Sequence, residues 1–120
     1  MENLLWYAGR ILFGGYFLYS GYNHFAKAGM MAGYAQSKGV PSAKAAVIGS
    51  GLLLLTGGLS VLFNIYVTVG MVALALFLIP VSLMMHAYWK LQDPSARVGE
   101  MVNFAKNLAL LGAVLILMSR

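Results

Sequence analysis

The chain contains no cysteine, which excludes disulfides, thiolate metal sites and dithiol redox relays. Charge is almost as scarce: Asp, Glu, Lys and Arg make up 9% of the 120 residues, against about 25% in soluble domains. The only acids are Glu2, Asp93 and Glu100, and none lies within a long apolar run, so no membrane-embedded carboxylate is expected to relay protons. Two histidines without such an acid make a poor metal site, and no metal is expected. The sequence has no glycine-rich phosphate loop and no nucleophile beside a base. A net charge of +5, dispersed along the chain, does not suggest nucleic acid.

Apolar residues dominate instead, at 61%, more than a soluble domain of this length could cover. The composition predicts an all-α membrane protein in a lipid bilayer, with residues 1–120 as one small domain. The apolar runs and their breaks divide it into a four-transmembrane-helix bundle, with spans at about 4–25, 43–63, 66–89 and 102–118. A short amphipathic segment falls in the first loop. The opening MENLLWY lacks the basic stretch of a secretion signal, so the first apolar segment is expected to be retained as a span.

The longest uninterrupted apolar stretch is 66–89, with no charge before Lys90. As a helix it would be roughly 36 Å long, enough to cross a bilayer. Pro80 should bend it by removing a backbone donor, and His86 follows near its end, beside Tyr88 and Trp89. The first span aligns Arg10, Gly14, Phe17, Gly21 and His24 on one face, with Tyr16, Tyr19 and Tyr22 spread over the other side. Residues 26–44 are too polar to span and suit a loop or short interfacial helix, ended by Gly39, with Ser42 as the N-cap of the next helix. The second span is rich in glycine, which favours close helix packing, and Asn64-Ile65 leaves room only for a tight hairpin into the third. Residues 90–102 are the most hydrophilic part of the chain, with Asp93-Pro94-Ser95 as a turn signal.

Four spans place the end of the first, the end of the third and the start of the fourth at one membrane face. His24, His86, Asn103, Lys106 and Asn107 therefore share a leaflet, while Arg10 lies at the opposite end. The basic residues of the two long loops, Lys27, Lys38, Lys44, Lys90 and Arg97, orient those loops to the cytoplasm. A polar pocket under the headgroups could hold a quinone ring, a lipid headgroup or a small polar solute. Each candidate also has a plainer use. The histidines suit hydrogen bonding at the interface, and Lys106 and Arg10 could extend to the headgroups. Arg10 could instead pair with helix carbonyls and hold spans together. Asn107, deeper and short, suits an interhelical hydrogen bond to His86 or Thr56.

The ordered set Arg10-Ile11-Leu12, Gly39-Val40-Pro41, Gly57-Gly58-Leu59 with Leu62-Phe63, His86 and Lys106-Asn107-Leu108 resembles the DoxX family. The resemblance implies a small four-helix protein of the bacterial cytoplasmic membrane, similar to subunits of a thiosulfate:quinone oxidoreductase and to proteins of oxidative-stress complexes. More distantly it implies kinship with membrane chaperones and cargo receptors. Arg10, His86, Lys106 and Asn107 stand at positions the family pattern marks as polar. Many members carry a glutamate where this chain has Leu54, and its loss favours an accessory role over proton-coupled chemistry.

Three functions are consistent with these readings. The foremost is an accessory subunit of a membrane oxidoreductase with a quinone- or lipid-binding pocket, and no covalently held cofactor. Another is a chaperone or assembly factor for membrane proteins. A small-solute carrier is the weakest, since only Pro80 interrupts a span and no paired broken helices are visible. A protein partner or a homo-oligomer is expected, with Gly57-Gly58 packing either inside one bundle or between two.

Overall fold

The computed structural model describes residues 2–119. All regular structure among them is helical: α1 (Glu2–Ala26), α2 (Ala28–Ser37), α3 (Ala43–Phe63), α4 (Val67–Met84), a single 3-10 turn (Tyr88–Lys90) and α5 (Pro94–Met118). Among the described residues three segments are long and apolar enough to cross a membrane: Ala43–Phe63, Val67–Lys90 and Pro94–Met118. Helix α1 has the length but not the apolarity, because Arg10, Asn23, His24 and its tyrosines dilute the aliphatic residues. The expected four spans are thus three by composition. Leu12, Leu52, Val69, Leu83, Leu108 and Ile116 lie exposed on the outer helix faces, as lipid-facing residues do.

The helices pack in chain order, α1 on α3, α3 on α4 and α4 on α5, with α2 laid over α1 and α3. Glycine sets the closest of these approaches. A Cβ at Gly58 would meet the Gly14 carbonyl oxygen at 2.9 Å, and one at Gly14 would meet the Gly58 carbonyl at the same distance. Gly57 faces Leu74 of α4, so the Gly57-Gly58 pair packs within one chain, to both sides of α3. Phe17, Leu54, Val61, Met71, Leu74, Leu78 and Val114 form the core. No Cα of α1 comes within 8 Å of one in α5, so the row of helices does not close into a ring.

Helix ends follow local chemistry. Gly39, at φ +85°, terminates α2 with the Val40 amide donating to the Ala35 carbonyl and the Gly39 amide to Gln36, a Schellman cap. Asn64, also left-handed, closes α3 in the same way, through Ile65 to Ser60 and Asn64 to Val61. Arg10 adds to this helix end, donating from Nε to Val61 O at 3.0 Å and from Nη2 to Leu62 O at 2.7 Å. Its guanidinium also lies over the rings of Trp6 and Tyr7. Arg10 therefore ties α1 to the end of α3.

Three expected boundaries differ. The third span does not run as helix to residue 89: α4 ends at Met84, and Met85–Ala87 leave the helix before the 3-10 turn. There Tyr88 and Trp89 pack edge-to-face with each other and with Phe104 of α5, with ring centroids 5.3 to 5.6 Å apart. These tertiary contacts outweigh continued helix. The last helix begins at Pro94 rather than near residue 102. Asp93 is its N-cap, accepting from the Ala96 amide at 3.0 Å, and Pro94 occupies the first turn, where its missing N–H costs nothing. Ser42 precedes α3 but forms no side-chain cap, because it is itself left-handed at φ 48°.

Candidate functional site

A cavity of about 600 Å³ lies at the end of the molecule where α2 covers the row of helices. Its floor is apolar, from Phe17 of α1, Val47 of α3, Leu78 of α4 and Leu110 of α5. Met30, Met31 and Tyr34 of α2 roof it, and Pro80 faces it from α4. Four of the six candidate residues line it: His24, His86, Lys106 and Asn107. Asn103 lies just outside, on the same stripe of α5, and Arg10 is at the far end of α1, capping α3.

His24, Lys106 and His86 are each held by a definite contact. His24 is buried, with Nδ1 2.7 Å from the Ser20 carbonyl and its ring edge-on to Phe77 of α4. A carbonyl only accepts, so Nδ1 carries the ring proton. Lys106 donates from Nζ to Tyr16 Oη at 3.2 Å, the contact that bridges the open side between α5 and α1. Tyr16, expected on the far side of α1, is thus part of the cavity wall. Its hydroxyl accepts from the ammonium and keeps its own proton to donate.

Asn107 is buried on α5 and lines the cavity, but its amide makes no hydrogen bond to a described residue. The expected bond to His86 or Thr56 is not formed. Thr56 donates back to the Leu52 carbonyl of its own helix at 2.8 Å, and His86 is engaged elsewhere.

The partner of His86 is Glu100, whose Oε2 lies 3.2 Å from Nδ1. Glu100 also accepts from Asn103 Nδ2 at 3.1 Å and lies 3.7 Å from Lys38 Nζ, just past the end of α2. Its side chain is only 12% exposed. The three acids are expected to stand apart from the apolar runs, and that is corrected for Glu100, which reaches His86. Glu100 is brought in because α5 starts two turns earlier than the hydrophilic composition of 90–102 suggests. Once helical, Glu100, Asn103 and Asn107 fall on one face at i, i+3 and i+7. That spacing was the available signal. Leu54, the position where many family members carry an acid, is fully buried in the core.

A multi-pass helical membrane protein with a partly polar cavity at one end is the class that this fold defines. The DoxX family model matches residues 5–87, and the chain belongs to that family. The matched segment contains α1 from residue 5 onward, α2 to α4 and His86; Glu100, Lys106 and Asn107 lie beyond it, on α5. Comparison with curated proteins and with solved structures finds no match.

Proposed function

We propose that this protein is a four-span accessory subunit of an oxidoreductase in the bacterial cytoplasmic membrane, holding the head of a quinone in the cavity. The fourth span in this reading is α1. Its 25 residues would reach about 37 Å, it packs along α3 at Gly14, and Leu4, Leu5, Ile11 and Leu12 face outward.

The observation that carries the proposal is the combination within one cavity of an apolar floor and a few convergent polar groups. Its volume of about 600 Å³ falls within the usual range for small-molecule sites, roughly 300 to 1,000 Å³. Phe17, Leu78 and Leu110 offer a surface for a flat ring, and Lys106, Asn107 and Tyr16 offer donors for its oxygens. A quinone bound here would supply two-electron redox chemistry to a partner protein. The chain's own part is to bind and orient it.

The test is a titration of the purified protein in nanodiscs with decyl-ubiquinone and menadione, followed by tryptophan fluorescence. Saturable binding with a micromolar dissociation constant, about −8 kcal/mol, weakened at least tenfold by Asn107→Ala or Lys106→Met, is expected. Non-saturable partitioning, equal in the variants and in empty nanodiscs, would overturn the proposal.

A further inference from the structure

Resting on the quinone-binding reading above, we infer that the cavity selects the reduced, hydroxyl-bearing quinol over the oxidised quinone, through two histidines locked as hydrogen-bond acceptors. The observation is the partner of each ring. His24 Nδ1 faces the Ser20 carbonyl at 2.7 Å and His86 Nδ1 faces the Glu100 carboxylate at 3.2 Å. Carbonyls and carboxylates only accept, so in each neutral imidazole Nδ1 is the donor and Nε2 is left with its lone pair. Both rings line the same cavity. While the rings are neutral, their remaining nitrogen is therefore an acceptor in each case.

A quinone oxygen has lone pairs and no proton, and cannot satisfy an imidazole lone pair. A quinol hydroxyl donates one bond and accepts another. It can donate to His24 or His86 while accepting from Lys106 Nζ, the Tyr16 hydroxyl or the Asn107 amide. The oxidised head would leave both ring nitrogens unpaired in an apolar cavity, which is the less favourable pairing.

Glu100 is the positioning residue in this scheme. Lys38, from the end of α2, and Asn103, one turn along α5, hold its carboxylate against His86. Replacing it with glutamine removes the obligatory acceptor. The amide can then present N–H to Nδ1, freeing His86 to carry its proton on Nε2. No electron transfer is invoked; the inference concerns which redox form is held.

The experiment compares decyl-ubiquinol, kept reduced under anaerobic conditions, with decyl-ubiquinone on the nanodisc protein, alongside ¹⁵N chemical shifts of the histidine rings. Quinol binding about tenfold tighter, the equivalent of one hydrogen bond, is expected, with protonated Nδ1 and unprotonated Nε2 in both rings. In Glu100→Gln the preference should shrink while decyl-ubiquinone still binds, which shows that the variant is folded. Equal affinities, or tighter binding of the oxidised form, would overturn the selection and leave the pocket standing. Saturable binding of neither form would overturn the pocket itself.

Discussion

Replacing Gly58 with alanine adds one methyl group where two helix backbones meet. That methyl would lie 2.9 Å from the Gly14 carbonyl oxygen and 3.0 Å from both the Leu18 amide nitrogen and Leu18 Cγ. Two of these three atoms are backbone, so no rotamer change relieves the contact. Helices α1 and α3 must separate by roughly half an ångström or more to restore ordinary contact, and overpacking of this kind costs about 1–3 kcal/mol. Against it stands the better helix propensity of alanine, worth at most about 1 kcal/mol in water. Gly49 separates the two terms. It lies on the same helix with nothing within 4 Å of a Cβ, so Gly49→Ala keeps the propensity gain without the clash. The difference between the two variants is then the packing term alone, about 1–3 kcal/mol in favour of Gly49→Ala. Reversible unfolding in mixed micelles, driven by SDS and followed by tryptophan fluorescence, measures it. Gly14→Ala should be no more than partly additive with Gly58→Ala, because both relieve the same contact by the same displacement. Equal stability of Gly58→Ala and Gly49→Ala would refute the close approach of α1 and α3.

Three further outcomes follow from contacts elsewhere. Arg10→Ala removes two charge-assisted hydrogen bonds to the last carbonyls of α3, and a loss of about 2–3 kcal/mol in the same unfolding assay is expected. Arg10→Lys should recover less than half of that, since a single ammonium cannot span both carbonyls as the fork does. Asp93→Ala should cost about 1 kcal/mol through loss of the α5 N-cap, with Asp93→Ser close to wild type. Glu100→Gln should speed amide hydrogen exchange in α2, because it cuts the Lys38 contact that fastens the end of that helix to α5; unchanged exchange there would show that packing on α3 suffices.

How far the sequence could be read depended on whether a signal was local. The helix over 43–63 appears with the expected bounds, since a long apolar run, an ending at Asn64 and the short hairpin are all written within a few residues. The Gly39 stop is local too. Arg10 could be offered as a carbonyl partner because nothing else near it could satisfy its charge. The end of α4 was not legible: 66–89 carries no break besides Pro80, and the chain leaves the helix where Tyr88 and Trp89 meet Phe104, more than ten positions away. Asp93-Pro94 reads equally well as a turn or as a helix start, and only the fold decides. That ambiguity hides Glu100: as part of a loop it has no place on the stripe that Asn103 and Asn107 share with it in α5. His24, His86, Lys106 and Asn107 were grouped by depth alone. The separate partners of the first three, Ser20, Glu100 and Tyr16, depend on side-chain directions that spacing does not give.

The gap between α1 and α5 bears on how so small a chain keeps so large a hollow. In a water-soluble domain of this length the open side of such a hollow would expose its apolar lining to water. Here the side that the two helices leave apart is bridged by the Lys106–Tyr16 contact and otherwise faces the surrounding medium. In a bilayer that medium is hydrocarbon, so the lipid itself completes the enclosure. A quinone bound as proposed would then come to the histidines sideways, with its tail left among the acyl chains.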